Sequence, residues 1–224
     1  MTTGRDLDLL LSKGYFRMQQ QLFTCQYILF NEQVHTVHWL RIVLATTQLG
    51  KRQQQLMKRN ERFQVRVKPF ALTPELQALY ARYYGSLAFD APTSVEDCLF
   101  GPVQSTNNVF NTRLIEVRDG SRLIAAGIFD AGRWSIAGIM NFYDPDYRRY
   151  SLGKHLMLLK ISYAQQQRFT YYYPGYVVKD YPKFDYKLDA AESATEVLDT
   201  ITDEWKPFSW ETVNALSEEL MRAE

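Results

Sequence analysis

The chain has 224 residues, of which 46 % are hydrophobic and 23 % charged, and this composition is that of an ordinary globular protein with a sizeable core. Its 26 basic and 25 acidic residues nearly cancel, which argues against indiscriminate coating of nucleic acid. Two cysteines, Cys25 and Cys98, are too few for a disulfide framework or a four-cysteine metal site, so we expect free thiols and no bound metal. No apolar run is long enough to span a membrane, and the N-terminus lacks the pattern of a signal peptide. We therefore expect a cytoplasmic protein without a membrane segment.

Residues 1–70 are predicted to form a small β-rich region. It begins with a short helix over 5–12, which ends at Lys13-Gly14 because glycine can adopt the left-handed conformation of a helix C-cap. From 16 to 44, short aromatic and β-branched runs predict two or three strands, with a turn at Asn31-Glu32.

A basic patch ends this region. Residues 51–68 carry seven Lys and Arg side chains and one acid, Glu61. Such a run is either a solvated helix face or a contact surface for the phosphates of a polyanion, and the two interpretations are equally open.

Residues 71–224 are predicted to form a second, larger domain. Thr73 can cap a helix that runs to about residue 84. A short helix then begins near Ser94, where acidic residues fill the first turn, and ends at Gly101. The stretch 89–111 is rich in Ser, Thr, Asn and Pro and resembles a linker.

The middle of this domain has the alternation typical of an antiparallel sheet. Residues 112–143 predict three strands, and the Asp119-Gly120 pair between the first two is a strong hairpin signal. A long helix over 151–168 and a strand over 171–178 follow. Residues 192–224 predict one or two amphipathic helices around Trp205.

This order of meander, helix and strand predicts the fold class. It is the central order of acetyltransferase-like (GNAT) folds, in which the helix after the meander points its N-terminus at a ligand. We therefore predict an α+β fold with a mixed sheet and flanking helices, together with the smaller β-rich N-terminal region.

The run from Tyr171 to Lys187 is unusually rich in polar rings and ammonium groups. It holds six tyrosines and three lysines. A buried tyrosine needs a partner for its hydroxyl, so this density predicts a polar pocket for a charged or planar ligand. Tyr171 and Tyr172 are expected to belong to the core.

Two motifs resemble those of the aminoacyl-tRNA–protein transferases, a family that includes arginyltransferases and their bacterial leucyl-transferring relatives. The first consists of Phe142-Tyr-Asp-Pro145 and the Ser-Leu-Gly at 151–153. The second consists of Gly175-Tyr176, Lys183-Phe184 and Tyr186-Lys187. Weaker matches lie at Gly14-Tyr15 with Arg17 and at Gln53 with Lys58-Arg59-Asn60, so the resemblance spans about residues 14–187.

The resemblance implies a reaction. An amino acid of the arginine or leucine type would pass from charged tRNA to the N-terminal amine of a protein or peptide, such as one beginning with Asp or Glu. Charged tRNA would be the co-substrate, and no cofactor is implied. The reaction needs a docked tRNA 3′ end, a deprotonated amine and stabilisation of a tetrahedral oxyanion.

The resemblance also implies two groups of site residues. The catalytic group would orient the ester, donate to the oxyanion or receive a proton, and consists of Tyr176, Lys183, Tyr186, Lys187 and Asp144. The substrate-binding group would hold the tRNA and consists of Arg148, Arg149, Ser151, Gly153, Gly175, Lys58 and Arg59. Ser151 opens a helix whose free N–H groups favour an anion. The alternative is that Ser151 only caps this helix and that the arginines are solvated.

Two departures from the family pattern concern cysteine. The family has clustered cysteines before its Leu-Arg-Ile segment, whereas residues 31–42 contain none and Cys25 is isolated. A family cysteine between the Gly-Tyr and Lys motifs is replaced by Tyr181. A metal or redox role therefore does not carry over from the family, and neither does thiol chemistry in the pocket.

Two other functions remain open. One is a coenzyme A-dependent N-acyltransferase, for which residues 148–153 form a degraded pyrophosphate loop with Ser151 in place of the first glycine. The other is a non-catalytic relative that binds tRNA or peptide termini.

Overall fold

The computed structural model describes residues 4–30, 32–89, 91–101 and 108–222. The α-helices in these ranges are α1 (Gly4–Ser12), α2 (Lys51–Asn60), α3 (Pro74–Tyr84), α4 (Val95–Phe100), α5 (Leu152–Gln166) and α6 (Trp210–Arg222). The strands are β1 (Phe16–Met18), β2 (Gln21–Phe23), β3 (Tyr27–Phe30), β4 (Gln33–Val43), β5 (Gln64–Pro69), β6 (Thr112–Asp119), β7 (Arg122–Ala131), β8 (Ser135–Tyr143), β9 (Tyr171–Val178), β10 (Thr195–Asp199) and β11 (Glu204–Pro207). Segments of 3₁₀ helix cover Pro145–Tyr150, Pro182–Ala190 and Glu192–Ala194.

One mixed sheet of nine strands organises the molecule. Its order is β11-β10-β4-β9-β8-β7-β6-β5, with β3 paired to β4 on a side branch. The β8–β9 pair is parallel and the other pairs of this sheet are antiparallel. The predicted α+β class, with a mixed sheet and flanking helices, is confirmed, and so is the order of meander, helix and parallel strand.

Strands from both sides of residue 70 belong to this sheet. β4 lies between β10 and β9, and β5 lies at the edge beside β6. Hydrogen bonds of the sheet therefore connect the two segments. The division into a domain of residues 1–70 and a domain of residues 71–224 stays a prediction.

The sheet is covered on both faces because neighbouring residues of its strands point to opposite sides. On one side, Ile115 and Ile124 pack in a cluster with residues of α2 and α5, such as Leu56 and Leu156. On the other side, Leu114 packs in a cluster with residues of α3 and α4. This layering fixes α5 directly over β7 and β8, where it borders the site described below.

Local sequence signals explain several helix starts. Thr73 accepts a hydrogen bond from the Leu76 N–H at 3.2 Å, and Ser94 accepts one from the Asp97 N–H at 2.9 Å. These are the side-chain caps that the sequence predicts. The predicted turn at Asn31-Glu32 and the predicted linker at 89–111 lie partly outside the described residues.

Two predicted segments differ from the structure. Residues 16–44 form four strands rather than two or three, because the first two are only three residues long. Residues 192–224 were expected to be helical around Trp205, but β10 and β11 form a hairpin before α6. The prediction was wrong there because β10 completes the sheet against β4, a long-range pairing that outweighs the local pattern. Among the described residues, no helix is long and apolar enough to cross a membrane.

Candidate active site

A cavity of about 220 Å³ lies where β8 and β9 separate. The two strands pair only through Ser135–Ala137 and Tyr171–Tyr173, after which β8 continues beside β7 and β9 beside β4. Residues of β8, of the middle of α5 and of the 3₁₀ segment Pro182–Ala190 line the gap. The lining residues of this inner cavity are Phe16, Gly138, Ile139, Met140, Asn141, Met157, Lys160, Tyr172, Pro174, Gly175, Tyr176, Phe184, Tyr186 and Lys187.

Lys187 is held inside this cavity by the turn in β9. Its Nζ donates a hydrogen bond to the backbone oxygen of Tyr176 at 2.9 Å, and only 8 % of the residue is exposed. Gly175 adopts φ +107°, and a Cβ on it would lie 3.3 Å from Cε of Lys187. Glycine is therefore required here both for its backbone conformation and for the close approach of the lysine.

The surroundings of Lys187 make its ammonium unusually acidic. Burial lowers its pKa to about 7, and the nearby carboxylate of Asp185 only partly opposes this shift. The rings of Phe184, Tyr186 and Tyr176 lie 4.5, 5.1 and 5.3 Å from its Nζ. A lysine with a pKa close to neutrality can exist as a free amine at working pH, and such groups concentrate at functional sites.

Lys160 brings a second buried ammonium to the cavity. This residue of α5 is 1 % exposed, and its Nζ donates to the backbone oxygens of Ile128 and Met140 at 2.9 and 3.3 Å. A third hydrogen bond, of 2.9 Å, reaches Oδ1 of Asn141. Burial lowers the pKa of Lys160 to about 7, and Asp130 opposes the shift.

Three tyrosines complete the polar wall. Tyr172 is 1 % exposed, and a Cβ on Gly138 would lie 2.7 Å from its hydroxyl oxygen, so the missing side chain at Gly138 makes room for that hydroxyl. Tyr176 packs edge-on against Trp39 with ring centroids 5.1 Å apart, whereas Tyr186 is 49 % exposed at the mouth. Desolvation raises the pKa of all three hydroxyls, which keeps them protonated and able to donate.

The structure thus brings together part of the predicted catalytic group. Tyr176, Tyr186 and Lys187 line the inner cavity, as does Gly175 of the substrate-binding group. Lys183 does not line it. Its Nζ lies 4.0 Å from the centroid of the Phe89 ring, on an exposed residue of the same 3₁₀ segment.

Asp144 also lies apart from the cavity lining. Its carboxylate accepts hydrogen bonds from Arg82 at 2.8 Å and from Arg122 at 2.5 Å. It also caps the segment Pro145–Tyr150 through the N–H of Asp146. The carboxylate is 1 % exposed and its hydrogen bonds support a structural role, while the catalytic role of Asp144 stays a prediction.

The predicted tRNA-binding residues lie on a face beside the cavity. Nη1 of Arg59 donates to the backbone oxygen of Arg149 at 3.3 Å, although the two are 90 residues apart. Lys58, Arg59, Arg148 and Arg149 are exposed, and we call this set the basic face. The contact arises because α2 packs against α5 and against the segment Pro145–Tyr150.

The start of α5 is shaped differently from the prediction. Ser151 has left-handed backbone angles, φ 51° and ψ 45°, and its side chain makes no cap hydrogen bond. A Cβ on Gly153 would meet only Tyr143 at an ordinary distance of 3.5 Å. Packing within the chain therefore does not require glycine at position 153. A ligand that binds at this end of the helix would be a separate reason for it.

A second cavity of about 290 Å³ lies next to the inner cavity, between α2, α5 and the segment Pro182–Ala190. The two cavities share Met157 and Tyr186 as lining residues. Arg52 and Lys154 line this outer cavity together with the acids Asp189 and Glu192. Lys154 forms an ion pair with Asp189 at 2.6 Å.

Sequence reasoning missed three polar groups of the inner cavity: Lys160, Asn141 and the hydroxyl of Tyr172. A signal for Lys160 was present, since a lysine four residues after Leu156 falls on the apolar stripe of α5. Tyr172 was expected in the core and is buried there, but its ring also reaches the cavity. Asn141 carries no signal of its own, because one amide on a strand is most often a surface residue.

Two histidines of the chain, His38 and His155, have separate surroundings. Nε2 of His38 lies 2.8 Å from Oγ of Ser217, and burial lowers the pKa of this histidine to about 4. His155 is buried beside α2, and burial lowers its pKa to about 4 as well. Neither histidine lines the inner cavity.

Comparison with known proteins places this geometry in a family. Residues 75–195, more than half of the chain, match the family model described as arginine-tRNA-protein transferase, C terminus. The aspartate/glutamate leucyltransferase of Stutzerimonas stutzeri is 31 % identical over 156 residues, covering 66 % of this chain and 63 % of its own length. That of Ruegeria pomeroyi is 30 % identical over 149 residues, covering 66 % and 55 %. The chain thus spans about three fifths of the length of these relatives.

The solved structures that resemble this chain are more distant. L-PGS from Bacillus licheniformis has a TM-score of 0.44 at 15 % identity, covering 77 % of this chain and 50 % of its own. The ribosomal-protein-S18-alanine N-acetyltransferase of Escherichia coli has a TM-score of 0.34 at 15 % identity, covering 46 % and 61 %. The family match over residues 75–195 contains the whole meander, α5 and β9, together with the cavity between them. The chain belongs to the arginine-tRNA-protein transferase family.

Proposed function

We propose that this protein transfers an aminoacyl group from charged tRNA to the N-terminal amine of a peptide or protein that begins with Asp or Glu. Family membership and the names of the leucyltransferase relatives support the reaction class and the acidic acceptor. The observation that carries the proposal is Lys187, a buried lysine with its pKa near neutrality, in a cavity that adjoins a second one lined by Arg52 and Lys154.

The basic face suits the tRNA. Arg59 and Arg149 are exposed, adjacent and free to neutralise phosphates of the acceptor arm. Arg52 and Lys154 line the outer cavity, where the acids Asp189 and Glu192 balance their charge, and this cavity leads to the inner one past Tyr186. The 3′ end can therefore enter through the outer cavity and present its ester in the inner one.

Lys187 has the properties of a proton acceptor for the attacking amine. The α-amino group of a peptide has a pKa of about 7.7 to 8, and Lys187 titrates close to this range. The neutral form of Lys187 receives the proton that the attacking amine loses. Proton transfer between groups of matched pKa needs little free energy.

The chemistry then balances without a nucleophile from the protein. The amine nitrogen attacks the ester carbon, a C–N bond forms, and the carbonyl electron pair moves to oxygen. The tetrahedral intermediate collapses to the new amide by breaking the bond between the carbon and the 3′ oxygen of the tRNA, and that oxygen takes the proton that Lys187 received from the amine. The ester is already activated, so positioning in the cavity supplies much of the acceleration.

The test is mass spectrometry of a peptide library after incubation with total charged tRNA. We expect peptides that begin with Asp or Glu to gain the mass of one amino acid residue. The matched control is the same peptide with an acetylated N-terminus, which offers no amine. Absence of any adduct from every charged tRNA, or an equal adduct on the acetylated peptide, would overturn the proposal.

A further inference from the structure

The side-chain amide of Asn141 has a fixed orientation. Its Oδ1 accepts a hydrogen bond of 2.9 Å from Nζ of Lys160. In its charged form Lys160 is a donor with no acceptor, so the oxygen of the amide, and not its nitrogen, faces the Lys160 ammonium. The Nδ2 group is directed away from the lysine, and among the described residues it has no hydrogen-bond partner.

Lys160 is itself fully committed. Its three ammonium hydrogens match three acceptors: Oδ1 of Asn141 and the backbone oxygens of Ile128 and Met140. Those two backbone oxygens belong to a pair of residues next to an irregularity in the β7–β8 pairing, where Ile128 pairs with Met140 and Phe129 pairs with Gly138, leaving Ile139 as an extra residue. Lys160 therefore binds beside a β-bulge whose extra residue, Ile139, lies two residues before Asn141.

The strand β7 also packs closely against the contact between Asn141 and Lys160. A Cβ on Gly127 would lie 3.1 Å from Oδ1 of Asn141 and 3.3 Å from Cε of Lys160. The strand at Gly127 thus packs tightly against the contact and prevents the amide from retreating. Both side chains line the inner cavity.

From this arrangement we propose that Asn141 is a further catalytic residue, whose Nδ2 group donates a hydrogen bond to the oxyanion of the tetrahedral intermediate, and that Lys160 is the positioning residue that orients it. The inference rests on the proposed transfer reaction and names a donor for it. A donor whose orientation is fixed before the substrate arrives does not have to reorganise when negative charge develops, and this is the property that makes such groups effective.

Rates of the full-length chain test the role of Asn141. Asn141→Asp keeps the shape and the acceptor for Lys160 but removes the donor, and we expect kcat to fall about 10²- to 10³-fold while KM changes little. Asn141→Ala, which adds no negative charge, is expected to fall in the same direction. Ser217→Ala, a buried hydroxyl beside His38, is the control for a polar deletion elsewhere in the core and is expected to keep the wild-type kcat.

The role of Lys160 is tested through its coupling to Asn141. Lys160→Met lets the amide turn, so kcat is expected to fall. In the double variant with Asn141→Ala, the losses should be far from additive because both changes disable one donor. If Lys160→Met keeps the wild-type kcat below its melting temperature, and the double variant loses only what Asn141→Ala loses, Lys160 has a purely structural role. That result would overturn this part of the inference.

Binding separates this inference from the proposed reaction. The probes are a leucyl phosphonate ester of adenosine, which mimics the tetrahedral oxyanion, and adenosine carrying a 3′ leucyl amide, which is planar. In calorimetry, wild type should bind the phosphonate at least tenfold more tightly than the Asn141→Ala variant does. The two proteins should bind the planar amide with equal affinity. Equal affinities of both proteins for the phosphonate would overturn the role of Asn141 even in an active enzyme. Absence of transfer by wild type would instead overturn the proposed function.

Discussion

Lys187 and Tyr176 are joined by a hydrogen bond of 2.9 Å from the lysine Nζ to the tyrosine backbone oxygen, eleven residues earlier in the chain. The bond closes the loop that starts at Gly175 and places the ammonium among three aromatic rings. This hydrogen bond folds the Tyr186-Lys187 part of the second motif back onto the end of β9. The tyrosines and lysines of residues 171–187 that line the inner cavity are brought together in this way.

Replacing Lys187 by Met is expected to remove most of the activity without unfolding the protein. Loss of a proton acceptor typically costs about 10²-fold or more in rate. Burial of the ammonium is unfavourable, so its removal should not lower the melting temperature measured by calorimetry. A variant that keeps wild-type kcat would show that Lys187 does not receive the proton.

Lys183→Met is the matched comparison, because it removes the same charge four residues away. Since Lys183 is exposed beside Phe89 and does not line the inner cavity, its replacement is expected to change kcat by less than about threefold. The sequence motif includes both lysines, and only the geometry separates them. Equal losses in the two variants would contradict the site as described.

The pH dependence of kcat should report Lys187. Its pKa is lowered to about 7, so the charged form dominates below this pH and the neutral, proton-accepting form dominates above it. We expect kcat with saturating substrates to rise with pH through about 7 in wild type and to lose this limb in Lys187→Met. Stopped-flow measurements of kcat between pH 5.5 and 8.5 test this dependence. A kcat that falls as the pH rises across this range would contradict the role of neutral Lys187 as the proton acceptor.

The same shift predicts a stability effect. The pKa of Lys187 lies below the unfolded value of about 10.4, so the unfolded chain binds more protons between the two. The penalty for burying the ammonium is therefore fully present below about pH 7 and disappears as the pH approaches 10. Denaturant unfolding should show the largest gain from Lys187→Met at pH 6 and a smaller one at pH 9. A gain that grows with pH would contradict the burial described here.

Gly138→Ala should disturb the cavity through Tyr172. The new Cβ would lie 2.7 Å from the tyrosine hydroxyl oxygen, which forces the ring or the strand to move. Overpacking of this kind costs about 1 to 3 kcal/mol of unfolding free energy. Tyr172→Phe in the same chain removes the closest atom and should restore part of the loss in urea unfolding. Independent, additive effects would show that the two residues do not contact.

Asp144→Asn tests the structural interpretation of the first motif. The amide can still cap the segment Pro145–Tyr150, but it leaves Arg82 and Arg122 without their charged partner. We expect a loss of about 1 to 3 kcal/mol in unfolding free energy, with kcat near the wild-type value below the melting temperature. A large fall in kcat at unchanged stability would return Asp144 to the catalytic group.

Salt dependence tests the basic face. If Arg59 and Arg149 each contact one phosphate, Gln at either position should weaken tRNA binding and reduce the slope of log K against log[salt] by about one. Filter binding of charged tRNA from 50 to 300 mM salt measures the slope. Unchanged slopes in both variants would show that these arginines are solvated, the alternative that the sequence leaves open.

The sequence predicted the elements that have local signals. The Thr73 and Ser94 caps, the Asp119-Gly120 hairpin and the long α5 all follow from residue type and period. β10 was missed because its stability comes from pairing with β4, about 150 residues earlier in the chain. A strand that depends on a distant partner has no signal within its own sequence window.

The site was predicted in part for the same reason. Tyr176 and Lys187 belong to one contiguous motif, so their proximity is local. Asn141 and Lys160 meet only because α5 crosses β8, and neither is marked by a motif. The separation of Lys183 from Lys187 depends on which way each side chain points along a 3₁₀ segment, a detail that composition and spacing do not contain.

A single-turnover reaction of the full chain with radiolabelled leucyl-tRNA or arginyl-tRNA and an Asp-initiated peptide measures the transfer itself. The label of one of these tRNAs is expected to move from the tRNA to the peptide, at a rate that falls about 10²-fold in Lys187→Met and only slightly in Lys183→Met. The label should stay on the tRNA when the peptide N-terminus is acetylated. Label that remains on both tRNAs in the presence of a free Asp terminus would contradict the account.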